Sequence, residues 1–272
     1  MNYPEHVKNF LEAREDLGKE LIAQQHSVGA SKDIIVVVHN QLECTKNCVE
    51  SVLKNTEDKF TLWIWDNGSD KETETYLKEV SEENNGKIKV IRCDENLGFI
   101  IPNNRLVEMS QSEFIILLNN DCVVHPKWDK VLVGMLNSRP DLTIVGYGGG
   151  LLNDEGMGAD ASSGEEIDFV MGWCLCMRRE DYNKFGLFDE DNLKFAYGED
   201  SDLSLRVKEC GGKVYAARLN YVDHLGSKTT EAVYTKRDMT TDFIANHDYL
   251  RKRWSHYLAK ERILLKKTGV KV

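Results

Sequence analysis

The stretch best suited to chemistry is Asn119-Asn120-Asp121, which ends the short apolar run Phe114–Leu118. In an open α/β sheet, ligands bind just beyond the carboxyl ends of the strands. A carboxylate there is costly to desolvate unless something positive meets it, and a divalent cation carrying a diphosphate meets that need. A second carboxylate, Asp66, stands in Trp65-Asp66-Asn67-Gly68-Ser69-Asp70 at the end of another apolar run. At a strand end it can accept a hydrogen bond from the N–H of a nucleotide base. Both stretches also have a plain reading as turns, because Asn, Asp, Gly and Ser are turn residues.

The elements that must position these groups follow from hydrophobic periodicity. Strands are expected at 34–38, 61–65, 88–92 and 114–118, with helices at 43–54, 72–83 and 103–110 between them. Pro126 opens a further helix, with Trp128, Val131, Leu132, Met135 and Leu136 on one face, which ends before Pro140. Strand and helix alternating at this spacing imply βαβ crossovers and a mostly parallel sheet flanked by helices. In the second half a strand is expected at 143–148. Residues 148–168, rich in Gly, Asp, Glu and Ser, read as a mobile loop. Residues 169–177 resume β character, 200–210 form a helix closed by Gly211-Gly212, and 213–217 a further strand. An amphipathic N-terminal helix is expected over 5–26, and a helical segment from about 236. The chain divides on this reading into 1–31, 32–235 and 236–272.

Composition bounds the partners. Of 272 residues, 41% are apolar and 29% charged, as in ordinary globular proteins. No uninterrupted apolar run exceeds five residues, whereas a membrane helix needs about 20. The N-terminal residues carry no basic stretch followed by an apolar core, so no secretory signal is expected. Seven cysteines without a Cys-x-x-Cys pair give no zinc spacing, and free thiols suit a reducing cytoplasm. The net charge is −10, but residues 246–272 hold eight Lys/Arg against two acids. An acidic body argues against broad nucleic-acid binding. The basic segment reads as a solvated helix face, with contact to an anionic membrane surface or other polyanion as the alternative.

Several segments in a fixed order carry a family likeness. They are Val38-His39-Asn40, Asp66-Asn67-Gly68-Ser69, Asn96-Leu97-Gly98-Phe99 with Asn103-Asn104, Asn119-Asn120-Asp121, Phe188-Asp189-Glu190, Tyr197-Gly198-Glu199-Asp200-Ser201-Asp202-Leu203 and His224. This set, collinear from about residue 33 to 226, resembles family 2 glycosyltransferases of the GT-A (Rossmann-like) fold, and among them rhamnosyl- and galactofuranosyl-type transferases. The resemblance implies inverting, metal-dependent transfer of a hexosyl-type sugar from a nucleoside-diphosphate sugar, UDP- or dTDP-based, to the hydroxyl of a carbohydrate or glycolipid acceptor. It implies donor contacts from Val38, Asn40, Asp66, Asn96, Gly98, Asn104, Asn119 and Asn120. Asp121 and His224 would hold Mn²⁺ or Mg²⁺, with the imidazole favouring Mn²⁺. Asp200 would be the base that takes the acceptor's proton and Glu199 the group that orients hydroxyls. Crowding of the two would raise one pKa. Lys228, Thr229 and Thr230 could fold over the diphosphate, and Trp173 could stack on an acceptor ring.

Three positions depart from the family pattern. Asn119 replaces the first Asp of the metal motif, Ile100-Ile101-Pro102 replaces small residues, and Val37-Val38 replaces Pro-Thr, leaving backbone groups to meet the base. The departures at Asn119 and Ile101-Pro102 support the competing reading, a non-catalytic nucleotide-sugar-binding scaffold; the retention of Asp121, Glu199, Asp200 and His224 together weighs against it. Transfer to a modified DNA base is a third reading, for which the basic segment would have to supply a groove. The expected location is cytoplasmic, peripheral to a membrane if the basic segment binds one.

Overall fold

The computed structural model describes residues 15–20, 23–24, 29–153, 158–226 and 240–268. Its centre is a seven-stranded sheet built from β1 (Lys32–Val38), β2 (Phe60–Asn67), β3 (Ile88–Cys93), β4 (Phe114–Leu118), β6 (Leu142–Gly146), β10 (Cys174–Arg178) and β11 (Lys213–Ala216). The spatial order is β11-β6-β10-β4-β1-β2-β3. β10 alone runs antiparallel, between β4 and β6. The helices are α1 (Leu42–Asn55), α2 (Lys71–Glu83), α3 (Ile100–Met109), α4 (Trp128–Ser138), α5 (Arg179–Phe185), α6 (Glu199–Glu209) and α7 (Thr240–Thr268).

The runs Ile34–Val38 of β1 and Phe114–Leu118 of β4 are unbroken and apolar because helices cover both faces of the sheet at its centre. Side chains alternate along a strand, so Ile34, Val36 and Val38 enter one core with Val49 of α1, Leu77 of α2 and Val131 of α4. Ile35 enters the other, with Leu106 of α3, Leu203 of α6 and Trp254 of α7. A buried charge pair, Lys32 with Asp129 at 2.6 Å, ties β1 to α4.

Outside the main sheet, β5 (Cys122–Val124) pairs antiparallel with β12 (Val222–His224). The expected loop over 148–168 instead contains two strands. β7 (Gly149–Leu152) pairs with β8 (Gly158–Ser162) and with β9 (Phe169–Val170); residues 154–157 lie outside the described residues. The glycines that suggested mobility are there for closeness: a Cβ on Gly149 would lie 2.7 Å from the Ala216 Cβ, and one on Gly150 2.7 Å from the Phe169 ring. The β character expected at 169–177 falls into β9 and β10, with Met171-Gly172-Trp173 between them.

Of the N-terminal helix, residues 15–20 are helical. Glu20 is fully buried and accepts hydrogen bonds from the Tyr215 hydroxyl (2.8 Å) and the Arg218 and Leu219 amides (2.8 and 2.9 Å). The C-terminal helix is more than a solvated basic face. Leu250, Trp254 and Leu258 are buried in the second core, and Arg253 turns towards Asp189 (3.2 Å) and Asp202 (3.5 Å). Among the described residues no helix is long and apolar enough to cross a membrane.

Candidate active site

The carboxyl ends of β1, β2 and β4 open into a cavity of about 580 Å³, within the size range of small-molecule sites. Asn119-Asn120-Asp121 is a tight turn between β4 and β5, closed by the Cys122 amide on the Asn119 carbonyl at 3.2 Å. The β5–β12 ribbon sets Cys122 opposite His224, which brings the imidazole to Asp121. On the ribbon's outer side Asp223 meets His125 at 2.7 Å. His224 Nε2 lies 3.2 Å from Asp121 Oδ1. The contact lacks hydrogen-bond geometry, and both atoms are buried without a hydrogen-bond partner among the described residues. The imidazole is also stacked on Trp173, ring centroids 4.8 Å apart.

This pair fits a divalent cation. Ligand distances near 2.1 Å put neighbouring ligands about 3 Å apart, which matches the Asp121–His224 separation. Asp121 and His224 would hold the ion and leave its other positions to diphosphate oxygens and water. Cys122 also lies near both groups, but it donates to the Trp173 carbonyl at 3.7 Å. Burial pushes its thiol well above the ordinary range, so it remains a protonated, weak donor.

Facing the ribbon is the start of α6. Asp200 Oδ2 accepts from the Gly172 amide (2.9 Å) and Oδ1 from the Ser201 amide (2.7 Å). Burial raises the Asp200 pKa, and those amides hold part of the rise back. Glu199 is buried, and its Oε2 has no hydrogen-bond partner among the described residues. Desolvation, with Asp200 beside it, lifts its pKa to about 8. The two carboxyls therefore differ in kind: Asp200 is supplied with donors, whereas Glu199 is held neutral at pH 7 and able to donate.

The end of the cavity beside β2 is stitched by Asn67. Its amide donates to Asn96 Oδ1 and the Gly98 carbonyl, both at 2.8 Å, and its oxygen accepts from the Leu97 amide at 2.9 Å. Gly98 sits at φ +81°, where a Cβ would lie 2.5 Å from the Phe195 carbonyl oxygen. That carbonyl accepts from the Phe99 amide at 2.7 Å and the Ile100 amide at 3.3 Å. The first amides of α3 thus meet protein, and the bulky Ile100 and Pro102 turn into the interior.

Of the residues singled out in the sequence, the cavity gathers Asn96, Gly98, Asn119, Asn120, Asp121, Glu199, Asp200 and His224, together with Trp173. Four others stand apart from its lining. Val38 points into the first core; strand alternation gives the cavity Val37 and, one residue past the strand, His39. Asn40 joins two loops, its amide donating to Ser69 Oγ (2.9 Å) and its side-chain oxygen accepting from the Asp70 amide (2.7 Å). Asp66 is buried against Arg92 at 2.5 Å and caps the Ser69 amide, so its carboxylate braces a turn and is not open to a base. Asn104 accepts from the Phe188 amide and donates to Glu190, a strut between α3 and the 188–190 segment. Trp173 has one face against His224, which makes it a support for that ligand. Lys228, Thr229 and Thr230 lie outside the described residues.

Sequence reasoning missed the aromatic wall. Phe195 and Tyr197, both at positive φ (60° and 77°), and Phe243, His247 and Leu250 of α7 all line the cavity. The signal was the spacing of 243, 247 and 250, one face of a helix, and the aromatics just before Gly198-Glu199.

Comparison with known proteins agrees with this geometry. A family model described as Glycosyl transferase family 2 matches residues 33–184. An uncharacterised protein, y4gI, of Sinorhizobium fredii (strain NBRC 101917 / NGR234) is 27% identical over 252 residues, covering 81% of this chain and 27% of its own length. The chain therefore spans about a quarter of that relative. Among solved structures, GalNAc-T7 with UDP, GalNAc and Mn²⁺ superposes with a TM-score of 0.62 at 20% identity, over 72% of this chain and 43% of that one. The mannosyltransferase PcManGT from Pyrobaculum calidifontis, in complex with GDP-Man and Mn²⁺, superposes with a TM-score of 0.53 at 14% identity, over 74% and 63%. At these identities the likeness establishes the α/β fold of the GT-A type.

Proposed function

The chain belongs to glycosyl transferase family 2, whose model matches it from residue 33 to 184, and on that premise we propose that it is an inverting, metal-dependent glycosyltransferase. It would move a sugar from a uridine or deoxythymidine diphosphate sugar to a carbohydrate or glycolipid hydroxyl. One observation carries this reading. The unpartnered Asp121 and His224 atoms share a single cavity with Glu199 and Asp200, so cation and proton chemistry meet at one place.

A divalent cation bound at Asp121 and His224 supplies Lewis-acid stabilisation of the charge on the departing diphosphate. Asp200 would take the acceptor's proton. As that hydroxyl oxygen bonds to the anomeric carbon, the bond to the diphosphate oxygen breaks and its electron pair leaves with the diphosphate. A single displacement of this kind needs one base beside the acceptor and gives inversion. Glu199, neutral before substrate arrives, donates a hydrogen bond to a sugar hydroxyl and so orients it. The strand-end residues Val37, His39, Asn67 and Asn96 cradle the nucleoside, in place of the Asp66 contact expected from the sequence.

A thermal-shift panel of UDP-, dTDP- and GDP-sugars, with and without Mn²⁺, tests the proposal. A ligand at 100 times its Kd stabilises by about 2.7 kcal/mol, so one donor class should raise Tm by several degrees in a Mn²⁺-dependent way. Asp121→Ala should abolish that rise and lower donor affinity at least about 100-fold. No shift with any donor, or a full shift in the variant, would defeat the reading. Donor binding without any transfer or hydrolysis would leave the scaffold alternative standing instead.

A further inference from the structure

We propose that the C-terminal helix builds the acceptor subsite: Tyr197 and Phe243, packed edge to face, form an aromatic corner in which one of the two ring faces takes a pyranose ring, and His247 holds a hydroxyl of that ring. The proposal rests on the transferase reading above and adds to it the chemical class of the acceptor and the residues that select it.

The placement follows from where the base is. An acceptor hydroxyl must reach Asp200, so the acceptor lies against the walls that flank Glu199 and Asp200. Those walls are the 195–198 segment leading into α6 and the face of α7 packed on it. Leu250 sits so close to Gly198 that a Cβ there would come within 2.5 Å of its side chain. Phe243 meets Tyr197 edge to face, with centroids 5.7 Å apart, and meets His247 at 4.0 Å. The strand-end side of the cavity is polar, with Asn67, Asn96 and His39, and suits a nucleoside. The helix side is aromatic, with the imidazole of His247 in its lining.

The Nδ1 of His247 is buried without a hydrogen-bond partner among the described residues. Burial holds the imidazole below its usual pKa, so at neutral pH the ring offers one donor and one acceptor nitrogen. Aromatic faces beside a single hydroxyl-sized polar partner match a sugar ring, whose C–H face is apolar and whose edge is hydroxylated. An alkyl chain would leave the imidazole unpaired.

The subsite is held rigidly to the catalytic segment. Asn246, fully buried next to His247, accepts from the Lys194 amide at 2.7 Å. It donates to the Lys194, Ala196 and Tyr197 carbonyls at 2.9, 2.9 and 3.0 Å. Trp254 of the same helix donates to Asp202 at 2.9 Å. The helix face and the loop carrying the base are thereby one body, and a ring placed on the helix has a defined distance to Asp200.

The test is saturation-transfer NMR on the full chain with a panel of methyl α- and β-pyranosides, in the presence of Mg²⁺ and whichever of UDP, dTDP or GDP binds. At least one pyranoside should receive saturation from the wild type. Its signal should fall at least fivefold in Phe243→Ala and His247→Ala, and recover in part in His247→Gln, while nucleotide Kd moves less than twofold. Phe243→Leu, which keeps an apolar side chain on the helix, should lose the same signal if Phe243→Ala proves unstable. The proposal falls if no pyranoside binds a wild type that binds nucleotide, or if the variants bind it as the wild type does. A wild type that binds none of the nucleotides would instead remove the transferase reading on which it rests.

Discussion

The two walls of the cavity are built on different principles. At the strand-end wall, position comes from topology: Asp121 and Asn119 sit where β4 stops, and Asn67 stitches the end of β2 to Asn96 and Gly98. At the helix wall, position comes from side chains reading distant backbone, chiefly Asn246 on the 194–197 loop. The first kind of wall can be inherited by any chain that keeps the sheet. The second kind belongs to this chain's own C-terminal helix, which lies beyond the residues matched by the family model.

Three substitutions separate or join the walls. The largest effect is expected from Asp200→Asn. General bases contribute about 10²–10⁴ in rate, so turnover should drop about 10³-fold with donor affinity nearly unchanged, as single-turnover kinetics beside a donor titration would show. Loss of donor binding along with rate would mean that the two walls do not divide the work. Gly98→Ala comes next. Its backbone at φ +81° and a Cβ 2.5 Å from the Phe195 carbonyl oxygen should destabilise the fold by about 1–3 kcal/mol. Donor affinity should fall with it, because Gly98 is where the walls touch; denaturation and donor titration on the same sample would show a coupled loss, and wild-type behaviour in both would uncouple them.

The smallest effect concerns pH. The Glu199 carboxyl ionises near 4.5 when unfolded and near 8 when folded. Between those values the folded protein binds the extra proton, so this group's contribution is fully present below pH 4.5, declines as pH rises and is flat above 8. Glu199→Gln removes the decline. Its Tm relative to wild type should climb between pH 5 and pH 8 by at least about 1 kcal/mol equivalent, roughly 2–4 °C. A pH-independent difference would show that Glu199 is ionised in the folded state.

The sheet was legible because Val, Ile and Leu runs of strand length, bounded by turn residues, leave few alternatives when both faces are covered. Asp121 and Asp200 were legible because a carboxylate at a strand or helix end needs a reason to be there. Asp66 met the same description and answers to a different reason, Arg92, whose approach from β3 no local pattern announces. Val38 and Asn40 stand next to the cavity-lining Val37 and His39 because adjacent side chains leave a strand on opposite sides. In 149–150, glycine stood for close packing where the composition suggested mobility. The helix wall was the least legible. Periodicity marks the face shared by Phe243, His247 and Leu250, but what that face meets depends on four hydrogen bonds from Asn246 across some fifty residues of chain.

The two-stranded ribbon has a consequence of its own. Neighbouring side chains on a strand face opposite ways, so a frame shift of one residue in β12 would present Asp223 to Asp121 in place of His224. A cation ligand would become a like-charged carboxylate, and the cradle would repel itself. The Asp223–His125 contact on the far side of the ribbon favours the correct frame, which makes an exposed pair remote from the chemistry a guardian of it.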